Sequence, residues 1–490
     1  MQSTQDILDV IARDNETIIS NMLHDLIDEH SMGEGRLQST LYNRYKQERT
    51  GVPIFAKKFA NYEKAHERIP NDFFGDIIDL KTGYMGNEIV IEIDERKVTQ
   101  EAELDRQNVF LQTFGQREGT GDKNSELVKM AAITGKAFRL LYIAARDGQA
   151  HVMNVDPWEA IVFYDASLNE PEAAMRYYRV EDVRYGDKIT DTQKSKRWRV
   201  EWYDRDRVTY YQENDSGHFV IDVETEGTDG TGRQAHLFSG VPLVEFKNNE
   251  EGQSEAHKVL ELIDAYDNIL SDTASEIEQL RMAYMFARGL GMKLDPELEA
   301  FLEQTGIWPL PQTGEVGFIN KDLGGAAPFV QQVLDELRRN IYSFAKSIDL
   351  SVDKGGDMRV IGWQIALLRL EMSAQVTERK FKRAYVKQYG LLSEFWRRAA
   401  AIAIDPYSMR FVFNRKFPKD IDQEIETLIK AIEALPLEEA YGLMTFIDNP
   451  QEIAEKFRDE RPDFGGVMRA MENAESELGR PGPVGTPGSR

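Results

Sequence analysis

The stretch from Val241 to Gly289 constrains this chain more than any other. It opens with Val241, Leu243, Val244 and Phe246, an apolar-rich run that reads as a half-buried strand. A polar turn, Asn248 to Gln253, follows, and Ser254 is placed to cap a helix. Val259, Ile263, Tyr266, Leu270, Ile277, Leu280 and Tyr284 then recur at alternating steps of four and three, interrupted only by Thr273. Neither glycine nor proline occurs between Ser254 and Gly289. The spacing predicts a helix about 50 Å long at 1.5 Å per residue, with one face held against neighbouring helices. Such a rod is long for a globular enzyme.

A second rod is predicted after a compact insertion. Residues 290–327 are rich in proline and glycine with short apolar runs, and read as a small strand-and-turn module. From Pro328, a residue suited to a first helical turn, Val330, Val333, Leu334, Leu337, Ile341, Phe344 and Ile348 repeat the three-and-four step. Two rods flanking a module place it at the far end of a stalk. The pair Gly355-Gly356 then marks a break, with Asp353, Lys354, Asp357 and Arg359 around it. A third helix is predicted from Trp363 through Gly390 towards Ile404. Its middle is basic (Arg379, Lys380, Lys382, Arg383, Lys387), which reads most simply as a solvated face.

Upstream, residues 4–30 read as one amphipathic helix. The segment YNRYKQERTGVPIFAKKF is a basic and aromatic cluster that suits nucleic acid or a partner, or more simply a helix face with a turn at Gly51 and Pro53. Asn71 is expected to cap a helix closed by Gly83 and Gly86, before the strand IVIEID. A further helix is expected from Thr99 to Phe114. The loop GQREGTGDKNS is Gly-rich but fails as a phosphate cradle, because Asp122 separates Gly121 from Lys123. Between Leu127 and Phe238 short strands are expected at 160–164, 174–180, 199–203, 208–212 and 218–223, with Asp147-Gly148 turning a hairpin and KITDTQKSK among the polar turns. Trp158 reads as a core residue. Helices beside antiparallel strands give a mostly helical α+β chain. A strand, MRFVFNRKF, acidic helices between Ile421 and Phe446, and a Pro/Gly-rich end complete it.

At 490 residues the chain needs more than one core. Its lack of cysteine excludes disulfides and thiolate chemistry, and no run of about 18 apolar residues is present. The seven histidines show no HExxH spacing, and neither a Gly-x-Ser-x-Gly elbow nor a calcium loop occurs, so no cofactor, metal or catalytic residue is assigned. A net charge of −24 speaks against tight gripping of nucleic acid; it suits a solubilised surface, a halophilic host or a wall past which DNA must slide, and charge alone does not choose among them.

The run FKNNEEGQSEAHKVLELIDAYDNILSDTASEIEQL resembles the corresponding segment of siphophage portal proteins, which carry a strand, Asn-Asn-acidic, Leu-Ile-Asp-Ala-Tyr-Asn and Ser-Asp-Thr. NDFFGDIIDLKTGYMG, VDPWEAIVFYD and INKDLGGAAPFVQQVLDELRRNIYSFAKSIDL are similar to further family elements in the same order. One departure is Arg359 to Leu367, where the family has a small-residue start to its tunnel helix and this chain has Trp363.

The resemblance implies a portal fold: wing 1–250, first stem helix 251–289, clip 290–327, second stem helix 328–348, tunnel loop 349–362, tunnel helix and return 363–404, wing strand 405–420, helical crown 421–478 and tail 479–490. It implies a ring of about twelve copies at one capsid vertex, without enzymatic activity. Double-stranded DNA passes through regardless of sequence, with terminase large subunit, head–tail adaptor, major capsid and scaffolding proteins as partners. Such a protein belongs in the virion and, during assembly, in the host cytoplasm. Asp353, Lys354, Gly355, Gly356, Asp357 and Arg359 become the DNA-facing loop. Val259, Ile263, Tyr266, Leu270, Ile277, Leu280, Leu337, Ile341 and Phe344 become stem packing, and Glu297, Glu299, Glu303 and Glu315 the terminase-facing clip. Another ring or adaptor of a phage particle, and an acidic soluble enzyme, are the alternatives.

Overall fold

A computed structural model describes residues 4–58, 66–86, 88–98, 100–144, 146–165, 170–185, 192–225, 227–228, 230–281, 284–288, 315–319, 327–350, 360–415, 431–432, 436 and 439–440. The chain divides into two units, Met1–Arg415 and Lys416–Arg490. Nearly all of the second, including the expected crown helices and tail, lies outside the described residues.

The first unit begins with three helices, α1 (Thr4–Ala12), α2 (Glu16–Met32) and α3 (Glu34–Tyr45). The single helix expected over 4–30 is therefore two. Asp14 adopts a left-handed conformation, and the Asn15 side chain accepts from the Ile18 N–H to start α2 afresh. Then come α4 (Phe73–Met85), β1 (Glu88–Ile93), α5 (Glu101–Glu118), α6 (Thr120–Thr134), β2 (Lys136–Ile143), β3 (Ala150–Val155), β4 (Ala160–Tyr164), β5 (Pro171–Tyr185), β6 (Thr192–Tyr203), β7 (Arg207–Glu213), β8 (Phe219–Ile221), β9 (Arg233–Ala235) and β10 (Leu243–Lys247). After them follow α7 (Leu260–Arg281), β11 (Tyr284–Arg288), β12 (Glu315–Ile319), α8 (Ala327–Phe344), α9 (Val360–Ala399) and β13 (Met409–Asn414).

Four expectations need correction here. Residues 115–125 are not a loop: α5 and α6 meet at Gly119, whose φ of 60° lets one helix stop and the next begin. The end of KITDTQKSK is strand, because β5 and β6 form a long antiparallel hairpin reaching Tyr185 opposite Thr192. The α4 cap is Asp72, which accepts from the Gly75 N–H, while Asn71 bonds elsewhere. Ser254 does not cap α7; its hydroxyl donates to the Ala132 carbonyl, and α7 opens from a 3-10 turn at His257–Val259.

The sheets are open and antiparallel. The largest runs β4-β5-β6-β7-β8, with β9 also on β7; a second runs β10-β2-β3. The face of the large sheet carrying Met175, Tyr177, Val200 and Trp202 is covered by Ile19, Leu23 and Ile27 of α2. Its other face, through Ala174, Tyr203 and Val208, packs with Phe138, Leu140 and Leu243 of the second sheet. A third core joins α3, α4, α6, α7 and α8 through Leu41, Phe74, Ile78, Ile133, Ile263 and Ile341. Trp158 is half-buried beside the Tyr42 ring, 5.1 Å away. β1 pairs with β13, so the chain returns to this unit after the helices and hairpin between. The class is mixed helix and strand, with open sheets and no barrel among the described residues.

Gly135 ends α6 at φ 91°, and a Cβ there would lie 2.0 Å from the Gly252 carbonyl oxygen. Left-handed strain adds to a clash with backbone that cannot rotate away. Gly135→Ala is therefore expected to lower stability by about 2 kcal/mol or more. Gly121→Ala, in open space within α6, should stay within about 0.5 kcal/mol of the parent in urea unfolding.

Candidate assembly interface

The rod expected to run to Gly289 is shorter. α7 ends at Arg281, spanning about 33 Å, and Tyr284, counted in the helical seam, starts β11 instead. β11 and β12 pair antiparallel, Tyr284 opposite Ile319 and Arg288 opposite Glu315. The Tyr284–Arg288 run YMFAR is rich in aromatic and large apolar residues, which favours a paired strand over a further helical turn.

The face that α7 buries is also not the expected one. Val259 and Ile263 lie in the core with Ile341, and Tyr266 packs edge-on against Phe73, ring centroids 4.9 Å apart. Beyond them the four-residue row continues as Asp267, Ser271 and Ser275, all buried and all polar. Leu270 and Leu337 are half-buried, while Ile277 is 52% and Phe344 56% exposed. The Leu280 side chain is outside the described residues.

The polar row has a backbone partner. Residues 66–71 run along α7, and their alternate N–H groups find its side chains. Glu67 N–H donates to the Ser275 hydroxyl at 2.9 Å, Ile69 N–H to Ser271 at 3.0 Å, and Asn71 N–H to Asp267 at 3.0 Å. The Asn71 amide adds a second bond to Asp267 at 2.7 Å. In an extended segment alternate N–H groups point the same way, and on a helix every fourth side chain does, so the two repeats mesh. Burial pushes the Asp267 carboxyl up to about 6, against the Asn71 bonds and Arg44.

Two cations of the basic cluster upstream clasp the same helix. Buried Arg44 pairs with Asp264 at 2.6 Å and Lys57 with Asp272 at 2.6 Å. The basic middle of α9 is likewise engaged within the chain. Lys380 pairs with Glu250, Lys382 with Glu378 at 2.6 Å, and Lys387 lies over the Tyr164 ring.

α9 itself begins at Val360, three residues before the expected start, passes Gly390 without a break and ends at Ala399. It is fastened by a buried polar cluster that sequence reasoning missed. Lys81 of α4, 1% exposed, donates to Asn248 Oδ1 at 2.9 Å, to Thr377 at 2.9 Å, to Ser373 at 3.2 Å, and to Glu255. The Thr377 hydroxyl donates to the Asn248 carbonyl at 2.8 Å, and Ser373 to Glu255. Burial draws the Lys81 ammonium down from its ordinary value; at Glu255 burial pushes up, but Lys81 together with the hydrogen bonds from Ser373 and Asn248 outweighs it and holds the carboxyl low. Arg415 adds a second clamp, reaching Glu371 and Glu378 on α9. Asn248 opens the Asn-Asn-acidic motif noted in the sequence and serves as a buried node of hydrogen bonds, while Glu250 at its end is exposed.

Asp353, Lys354, Gly355, Gly356, Asp357 and Arg359 lie outside the described residues, as do Glu297, Glu299 and Glu303; Glu315 is placed only by its register in β12. Among the described residues no group of three His, Cys, Asp or Glu side chains is arranged to hold a metal ion. No helix among them is long and apolar enough to cross a membrane.

The family described as phage portal protein, SPP1 Gp6-like, matches residues 23–463, a span containing α7, both strands of the hairpin, α8 and α9. The chain belongs to this family. It is 22% identical over 466 residues to the portal protein of Bacillus phage SPP1, covering 92% of this chain and 88% of that one. It is 21% identical over 445 residues to the portal protein of Clostridium phage phiCD119, covering 86% and 91%. In this portal-family chain, α7 buries a polar row and α8 an apolar one, and both leave large apolar side chains, Ile277, Phe329 and Phe344, exposed.

The carboxyl of Asp267 sets a pH signature. Its folded-state value near 6 lies above the 3.8 of the free side chain, so folding takes up a proton between them. Stability should fall as pH rises from about 4 to 6 and carry a constant cost above that. Asp267→Asn keeps an acceptor for Asn71 without the charge. It is expected to stabilise the chain by about 1–3 kcal/mol at pH 8 and little at pH 4, read by urea unfolding at both. Ser271→Ala strands the Ile69 N–H and should cost about 1–3 kcal/mol at either pH.

Proposed function

We propose that this chain is the subunit of a ring of about twelve copies at one capsid vertex, through whose axial channel double-stranded DNA is packaged, retained and ejected. The observation that carries this reading is the portal-family match over residues 23–463, supported by relatives named portal protein on two phages. In this reading residues 1–250 are the wing, α7 and α8 the stem, 290–327 the clip, 349–362 the tunnel loop, α9 the tunnel helix, 405–420 a wing strand and 421–478 the crown.

Two physical features support it. Ile277 of α7 and Phe329 and Phe344 of α8 expose more than half of their surface, and Leu368 and Met372 of α9 do the same. Five large apolar side chains left open on three successive helices suit packing between copies around a ring. A charge of −24 suits a bore that must not bind its cargo, since displacing condensed counterions at each phosphate would make adhesion strong and salt-dependent. The terminase large subunit docks at the clip through Glu297, Glu299, Glu303 and Glu315. The Asp353–Arg359 loop follows the moving duplex, with Lys354 and Arg359 making transient phosphate contacts. Head–tail adaptor, capsid and scaffolding proteins complete the partners, placing the protein in the virion and, during assembly, the host cytoplasm. No catalytic step is assigned to the portal itself.

Mass photometry of the purified chain is expected to give a particle of about twelve subunit masses, and averaged negative-stain images a ring with a central hole. A monomer or dimer at micromolar concentration would remove the reading. Ile277→Asp with Phe329→Asp is expected to shift the particle distribution at least tenfold towards monomer, with the subunit's circular-dichroism melt moved by no more than a few degrees. Deleting 353–359 is expected to reduce DNase-protected DNA in assembled particles more than it reduces rings.

A further inference from the structure

Three lysine or arginine side chains are buried among the described residues: Arg44, Lys81 and Arg139. The first two hold carboxylates, Asp264 and Glu255. Arg139 does not. It lies in β2, on the face of the sheet β10-β2-β3 that turns away from Phe138 and Leu140, with α6 and α9 packed over it. Three of its five N–H groups are used. Nε donates to Asn154 Oδ1 at 3.1 Å, and Nη1 donates to Asn124 Oδ1 at 2.7 Å and to Gln388 Oε1 at 3.4 Å. Each acceptor is a neutral amide oxygen. No carboxylate pairs with the guanidinium among the described residues, and burial draws it down from its ordinary value.

Its Nη2, with two protons, has no partner among the described residues, and the same holds for the Gln388 amide nitrogen and the Tyr385 hydroxyl of α9. These groups share one neighbourhood. Gln388 touches the guanidinium through the bond above. Tyr385, one turn earlier on the same helix, packs on the Phe246 ring with centroids 5.1 Å apart, and the guanidinium lies over that same ring, 5.8 Å from its centroid. Arg139, Tyr385 and Gln388 are each 0% exposed. Donors without acceptors thus surround an uncompensated positive charge, an arrangement that is costly in an apolar interior. A water molecule would bring two more protons to groups that already lack acceptors, and it would leave the charge unopposed. A monatomic anion accepts from several donors at once, carries the missing charge and is small enough for walls sealed this completely.

We infer that Arg139, Tyr385 and Gln388 form a buried site for one halide-sized monovalent anion, which accepts from Nη2, the phenol and the carboxamide and neutralises the guanidinium. Such an ion joins β2 to α9 within one subunit, and the site does not depend on the channel reading.

The full-length chain is exchanged by gel filtration into sodium gluconate, and chloride is then titrated in at constant ionic strength. The melting temperature is expected to rise saturably by about 2 °C or more, because a ligand of the folded state alone stabilises by mass action. An ion held too tightly to exchange is expected instead as about one chloride per chain, released on unfolding in gluconate and read by ion chromatography. Two variants are compared with the parent. Arg139→Met removes the charge, and Tyr385→Phe with Gln388→Leu keeps the charge and removes the donors on α9. Both are expected to lose the retained ion, and the second to bind chloride about tenfold more weakly or worse. A parent with neither a chloride-dependent rise nor a released ion overturns the inference. So does a chloride response of equal size in the parent and the second variant, whether or not the first folds, since that is a general effect of salt.

Discussion

A lysine ammonium almost out of reach of water sits where α4, the end of β10, the turn before α7 and the long helix α9 meet. Such a group is tolerable only if every proton is bonded and a counter-charge is at hand, and Lys81 meets both conditions. Four separate stretches must be in their native places for that to hold. The core around Phe74, Ile78 and Ile263 lies along two of the same elements, so burial drives them together while the polar cluster sets their relation. The rest of the first unit is built outward from this junction: the sheet β10-β2-β3 continues from Asn248, and α7 departs from Glu255.

The helix α7 shows the converse arrangement. A helix ordinarily turns its apolar stripe inward, but here the row after Ile263 is Asp267, Ser271 and Ser275, taken up by a backbone strap instead of a helix. Side-chain acceptors at every fourth residue, a little over one turn apart, satisfy N–H groups that would otherwise be buried unpaired. The apolar position Ile277 is thereby left to face outward, as the proposed ring of copies would require.

Much of this was legible in the sequence. Family membership, the α+β class, the β7 and β10 strands and the third helix follow from periodicity and from motifs such as FKNNEEGQSEAHKVLELIDAYDN. The failures along α7 share a cause: a repeat of three and four reports only which residues could share a helix face. It could not say that Tyr284 would leave the helix for a paired strand, since strand pairing is a long-range choice. It could not see that Asp267 and Ser271 face inward, although their four-residue continuation of Val259 and Ile263 carried that signal. Lys81 read as one charge among many, because its partners lie 167 to 296 residues away. At the candidate site, the loop 353–359 and the acidic residues 297, 299 and 303 stand as sequence expectations only.

The β1–β13 pairing has a consequence for how the chain is made. Arg410 bonds to Glu92 across that sheet, 318 residues apart. At roughly 5–20 residues per second, a ribosome needs on the order of 15 to 60 seconds to deliver the second strand after the first has emerged. Throughout that interval β1 presents an open ladder of N–H and C=O groups in a crowded cell, alternating with isoleucine and valine side chains. For most of the chain's synthesis β1 is therefore without its ladder partner, an unpaired edge of the kind that templates pairing with other chains.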